Sequence, residues 1–235
     1  MFQLKLRSLK STGQRIAILL SISLLSVFAF SSLAMALTPS ETITSTVAEV
    51  KQVISTEKGK ISPEELNQKL RQIIVPVFDF KAMARGSLAQ HWKKATPEEQ
   101  EEFTKLFGDL LGETYLKKIR DNIAESDLSI QSEKIKGKKA IVKTNISTGD
   151  DAVNLDYRMR SKNDNWLIYD VVIENIGLVS NYRSEFTSIV KRSGVAGVIE
   201  KLKEKKAKAE NTETSFNELR EGKHTVVAQL ILEAS

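Results

Sequence analysis

Apolar positions along this chain change period twice, and the changes divide it into helices, then strands, then helices. Residues 42–56 carry Val47, Val50 and Ile54 at helical spacing. Ser62-Pro63-Glu64-Glu65 reads as a capping box with proline at the first helical position. The helix it opens should stop before Pro76, whose ring disfavours helical geometry at Val75. Asp79 reads as the cap of a helix carrying Met83, Leu88 and Trp92. Thr96-Pro97-Glu98-Glu99 repeats the capping device and opens a helix over 97–120. Phe103, Leu106, Phe107, Leu110 and Leu111 form its apolar stripe, with Tyr115 beside it. Lys117, Lys118 and Arg120 near its end complement the helix dipole.

From Leu128 the period becomes two. Residues 128–136, 139–147, 152–162 and 165–174 read as four strands, joined by segments too short for parallel crossovers. An antiparallel meander follows. In the third strand Val153, Leu155, Tyr157 and Met159 face one way, and Asn154, Asp156, Arg158 and Arg160 the other. The last strand is apolar on both faces, which predicts cover on both. Residues 180–206 return to helix, broken at Gly194, and after about Lys203 charge dominates. The predicted fold is α+β, a four-stranded antiparallel sheet flanked by N- and C-terminal helices. Residues 37–206 form the domain, and 207–235 a charged linker and tail ending in the apolar run Val226–Leu232.

The first 36 residues fit neither pattern. A basic stretch ends at Arg15, an apolar run of 15 residues spans Ile16–Phe30, and Ala34-Met35-Ala36 offers a peptidase site. That is a cleavable secretory signal peptide with cleavage after Ala36; the apolar run is short for a spanning helix. The formal net charge of +5 is then mostly export signal, since residues 37–235 hold 31 basic against 30 acidic side chains. A nucleic-acid partner loses its main support. With no cysteine there is no lipid-anchor site, disulfide or thiolate metal ligand.

Catalytic chemistry is sparse. His91 and His224 lie on different elements, and His91, beside Trp92, reads as a partly exposed packing residue. No zinc, P-loop, Rossmann or nucleophile-elbow pattern occurs. Asp79 is explained as a cap. Asp170, an acid within an apolar strand, needs a partner, and Arg183 is the nearest candidate; the alternative is a general base with a raised pKa. Aromatic and flexible apolar residues occur in both layers, which fits a packed core or a lined cavity equally.

Two blocks narrow the choice. Val75-Pro76-Val77-Phe78-Asp79-Phe80, Met83-Ala84, Leu88 and His91-Trp92-Lys93-Lys94-Ala95-Thr96-Pro97-Glu98-Glu99-Gln100, continuing to Thr114-Tyr115, form the first. Trp166-Leu167-Ile168-Tyr169-Asp170-Val171 and Leu178-Val179-Ser180-Asn181-Tyr182-Arg183, with Phe186 and Gly194, form the second. Together, over about residues 42–206, they resemble the MlaC family of periplasmic phospholipid-binding proteins. Where that family commonly has Gly-(Val/Ile)-Ser-Leu after the last strand, this chain has Asn175-Ile176-Gly177-Leu178, a turn with its glycine displaced.

The resemblance implies an NTF2-like, MlaC-like fold and a periplasmic carrier that takes phospholipid between an outer-membrane lipoprotein complex and an inner-membrane ABC transporter complex. It implies no cofactor, a monomer, and only transient contact with the membrane complexes. The acyl chains would lie between the apolar sheet face and the Thr96 helix, lined by Met83, Leu88, Phe107, Leu111, Tyr115, Tyr157, Met159, Val171 and Ile173. Alternatives are a carrier of another membrane lipid (hopanoid-like), a periplasmic enzyme with Asp170 or Asp79 as base, and a partner-binding module with a filled core.

Overall fold

In a computed structural model, residues 37–149 and 151–219 are described. The signal segment 1–36, its cleavage after Ala36 and the apolar run at 226–232 lie outside the described residues.

Three helices start with the same device. Helix α1 (Pro39–Glu57), α2 (Pro63–Ile74) and α4 (Pro97–Asn122) each follow a Thr or Ser cap, begin with proline and carry glutamate three residues after the cap. Reciprocal bonds satisfy two amides at each start, as in Thr38, whose N–H donates to Glu41 at 2.8 Å while its hydroxyl accepts from the Glu41 N–H at 3.2 Å. The periodicity placed α1 three residues too late because its first turn is polar. Helix α3 (Phe80–Leu88) is capped by Asp79, which accepts from the Ala82 N–H at 3.0 Å. It ends before Trp92: Ala89 takes φ 49°, and His91 and Trp92 fall in a 3-10 segment over Ala89–Lys94.

Strands β1 (Asp127–Lys136), β2 (Lys139–Thr148), β3 (Asp151–Lys162) and β4 (Asn165–Ile173) lie within a residue or so of expectation. A short fifth strand, β5 (Ile176–Gly177), completes the antiparallel order β1-β2-β3-β4-β5. The turn before β5 uses Glu174 and Asn175 at φ 45° and 68°, so Asn175 adopts the left-handed conformation expected of a glycine there. The displaced Gly177 serves packing instead. A Cβ there would lie 3.1 Å from Ser180 Oγ and 3.2 Å from Asp170 Oδ2.

Two bulges set which residues face inward. Tyr169 is an extra residue on β4, between the pairs Met159↔Ile168 and Arg158↔Asp170. Trp166 and Ile168 before it, and Val171 and Ile173 after it, therefore share the inner face with Tyr157 and Met159, while Asp170 faces outward with Arg158. On β1, Gln131 plays the same part. Leu128, Ile130, Glu133 and Ile135 all lie on the inner side, and Glu133 accepts the Ser40 N–H at 2.7 Å, tying the start of α1 across that face.

Helix α5 (Leu178–Leu219) extends well past residue 206 but is not one rod. Gly194 has φ 69° and ψ −173°, and Lys205 Nζ lies 2.9 Å from Glu185 Oε1. In a straight helix those two residues would be about 30 Å apart, so the chain folds back at Gly194. The second half is fastened to α4 by Lys203–Glu102 at 2.7 Å and Lys206–Asp109 at 2.9 Å.

The expected Asp170–Arg183 pair is not formed. Arg158, opposite Asp170 across the β3–β4 ladder, donates to it at 2.9 Å, and the Val179 N–H at the start of α5 donates at 3.0 Å. Arg183 donates to the Gly86 carbonyl at 2.8 Å, joining α5 to α3. Sequence proximity favoured Arg183, whereas strand register decided for Arg158.

Replacing Asp170 with alanine removes a charge-assisted bond and the cap of α5 together. It should lower stability by about 2 kcal/mol in urea melts. Asp170→Asn, which keeps an acceptor for the Val179 N–H, should lose less. An alanine variant as stable as the parent would show that neither contact matters.

Candidate functional site

The buried side chains form three clusters rather than one. Met83, Leu88, Trp92, Phe103, Phe107, Leu111, Tyr182, Phe186 and the second half of α5 make a helical cluster. Ile43 joins Ala140, Val142, Met159, Ile168 and Val171 on the inner sheet face. Val50 and Ile54 of α1 meet Leu66, Leu70, Leu116 and Ile123 in a third. Helix α4 packs on α2, α3 and α5 and approaches the sheet little. Phe78 is the side chain that borders both the helical and the sheet cluster.

Between these clusters the apolar side chains are half-buried instead of sealed. Leu128, Leu155, Tyr157 and Ile173 do this from the sheet, Val77 from the segment after α2, Ile74 from α2, and Tyr115 and Ile119 from α4. Along β3 the inner face opens progressively: Met159 is fully buried, Tyr157 and Leu155 are half-buried, and Val153 is 38% exposed. On β2 the same gradient runs from Val142 and Thr144, both buried, to half-buried Ile146, which pairs with Val153. On β2 and β3 the inner sheet face is therefore sealed near Met159 and more accessible toward Val153.

Tyr157 shows what kind of space this is. Its side chain is partly accessible, yet burial alone pushes its phenol up to about 12. A phenol in open water would stay near 10. The phenol is thus surrounded by protein while part of the ring stays accessible. Burial likewise raises the Tyr115 phenol, which borders the helical cluster from α4.

Of the nine residues proposed from sequence, Met83, Leu88, Phe107 and Leu111 lie in the helical cluster, each no more than 7% exposed. Tyr115 borders that cluster. Tyr157, Met159, Val171 and Ile173 come together on the inner sheet face. Leu128, Leu155, Ile74, Val77 and Ile119 are half-buried apolar residues outside the nine named from sequence, and Val142 is a fully buried one. Leu155 was visible in the β3 alternation, whereas the run Ala140-Ile141-Val142 hides its own register.

Polar groups with catalytic potential are already engaged. Asp79 holds the first turn of α3 and receives Arg160 Nε at 2.6 Å, so both buried acids are paired on the outer side of the sheet. His91 is buried rather than partly exposed, and its Nε2 has no partner among the described residues. Two open surface grooves near the start of α4 are lined largely by charged or polar side chains, including Lys81, Glu101 and Lys105 in one and Lys94, Glu99 and Lys191 in the other. Neither suits an acyl chain.

Comparison with known proteins identifies the family of the chain. The family model for the MlaC protein matches residues 44–204. The intermembrane phospholipid transport system binding protein MlaC of Haemophilus influenzae is 22% identical over 153 residues, covering 63% of this chain and 71% of that protein. A phospholipid-binding protein from Ralstonia solanacearum, solved in complex with a phospholipid, superposes with a TM-score of 0.64 at 25% identity, over 72% of this chain and 96% of that one. On the match across residues 44–204, the chain belongs to the MlaC family.

Proposed function

We propose that this protein is a phospholipid carrier, holding acyl chain in the cleft between the inner sheet face and the helices. The observation that carries the reading is the row of half-buried apolar side chains around Tyr157, a partly accessible phenol in a desolvated setting. A similar fold solved with phospholipid, and a relative named for intermembrane phospholipid transport, support it.

Physical chemistry explains why such a protein is needed. Exposing acyl chain to water costs about 0.8 kcal/mol per methylene, so a lipid with about 30 methylenes meets a barrier of order 20 kcal/mol. A carrier lowers that barrier by offering an apolar lining. It must also release its cargo, which favours non-directional contacts over charged ones inside the cleft.

On this reading the signal segment delivers the chain to the periplasm, where a soluble monomer travels between an outer-membrane lipoprotein complex and an inner-membrane ABC transporter complex. Any nucleotide hydrolysis belongs to the transporter. The nine residues named from sequence act in two ways. Tyr115, Tyr157 and Ile173 touch the chains, while the more buried members fix the walls.

Mass spectrometry of solvent extracts from the purified, exported protein should find phospholipid. Protein that is free of lipid and takes up no fluorescent phospholipid would overturn the proposal. Tyr157→Asp places a charge in the cleft and should abolish loading while leaving the circular dichroism spectrum unchanged. If it unfolds the protein instead, Tyr157 is core.

The enclosed phenols also predict an alkaline response. Folded Tyr157 and Tyr182 keep their protons to about 12, while unfolded tyrosine loses its proton near 10. Between those values the unfolded state binds fewer protons, so their contribution, fully present below pH 10, is lost as pH rises. Tyr157→Phe should lessen the fall in stability between pH 10 and 12, measured as the difference from the parent. An unchanged slope would mean that Tyr157 faces water.

A further inference from the structure

The outer face of the sheet carries a feature that holding lipid does not use. Residues 134–139 include Lys134, Lys136, Lys138 and Lys139, in a chain whose residues 37–235 are nearly neutral. Strand register gathers this charge. Lys136 is the Cα partner of Lys139, and Lys139 of Arg160, so three cations form one cross-strand row. Lys134 stands in the next row beside Ile141, which is 40% exposed. Lys162 lies at the adjacent β3–β4 turn, with Asp164 the acid beside it.

Like charges placed directly opposite destabilise a sheet. Asp79 relieves Arg160, and Asp156 relieves Lys143 at 3.5 Å. Among the described residues, no ion pair or side-chain hydrogen bond engages Lys134, Lys136, Lys138 or Lys139, and all four are exposed. An arrangement that works against its own sheet and remains unrelieved calls for an external anion.

We propose that this lysine end of the outer sheet face docks the protein on an anionic lipid surface. Three features favour a bilayer over an acidic protein. The cations are lysines, which are depleted in protein–protein interfaces. They stand on paired strands and a tight turn, and neither groove described above includes any of them. Lys134 and Lys139 flank the exposed Ile141, the mix of charge and apolar surface that binds at lipid headgroups. The docking face is opposite the cleft-lining face, so both can be occupied at once.

The test is sedimentation of the exported protein with vesicles of phosphatidylcholine containing about one third phosphatidylglycerol, against phosphatidylcholine alone. Binding should require the anionic lipid and weaken above about 0.1 M salt, where screening shortens to about 10 Å. Each lysine near such a surface is worth roughly fivefold in association. The triple variant Lys136→Gln, Lys138→Gln, Lys139→Gln should therefore bind on the order of a hundredfold more weakly. It should still take up fluorescent phospholipid, which separates docking from cargo binding. The matching arginine variant should bind like the parent.

Equal sedimentation with neutral vesicles, undiminished binding by the glutamine variant, or loss of binding in the arginine variant would each overturn the proposal. So would failure of the parent to bind anionic vesicles at all, which would leave an acidic protein as the partner. If the parent docks but takes up no lipid, docking stands and the carrier reading fails.

Discussion

The helical layer is held to the sheet by two buried aspartates, and both act from the outer side. Asp79 closes the first turn of α3 and receives Arg160; Asp170 receives Arg158 and the Val179 N–H of α5. Each carboxylate uses its two oxygens for two partners, one on a helix and one on β3. Their burial is tolerated because every lone pair facing protein meets a donor. The arginines, at 45% and 41% side-chain exposure, keep contact with water, which limits the desolvation cost. Helices anchored in this way need not pack down on the inner sheet face to stay in place.

That freedom resolves a conflict in any lipid carrier. Protein interiors ordinarily fill to crystal-like density, and unfilled apolar space is destabilising. Here stability is spread over three clusters that are each well buried: the aromatic group Phe103–Phe107–Tyr182–Phe186, the α1–α2–α4 contact, and the closed end of the sheet. The aromatic rings meet at 5.1 to 5.7 Å, three of the contacts edge-on, a geometry that adds to their area burial. The fold at Gly194 brings Val195, Val198 and Leu202 back onto this cluster, completing it from the chain's own C-terminal part. The half-buried side chains between the clusters can then stay accessible without loosening any of them.

Much of this was legible in the sequence because it depends on local rules. Capping boxes, strand limits and the break at Gly194 are written within a few residues, and those positions held. The partner of Asp170 was missed because it depends on pairing across the sheet. The Tyr169 bulge turns Asp170 outward and keeps Ile168 and Val171 on one face, yet nothing in a strand that is apolar on both sides announces an extra residue. The partner of Asp170 followed from that register. Met83 and Phe107 are flexible and aromatic, as a pocket would want, but they are fully buried because α3, α4 and α5 pack on one another there. Side-chain type suggests an apolar role; only packing decides between wall and surface.

β3 shows how a single strand serves both sides. Tyr157 and Met159 point to the cleft, and Arg158 and Arg160 hold the helices from the other side, an alternation that follows from the two-residue period of the backbone. A slip of one residue would put two arginines into the apolar cleft and two apolar side chains where the aspartates wait. The penalty falls on the sheet and the helical anchors at the same time, so register is specified far more strongly than by either face alone. The same alternation places Lys139 and Ile141 outside where Ala140 and Val142 line the inside. One set of strand pairings therefore fixes the lining, the anchoring and the charge of the opposite face together.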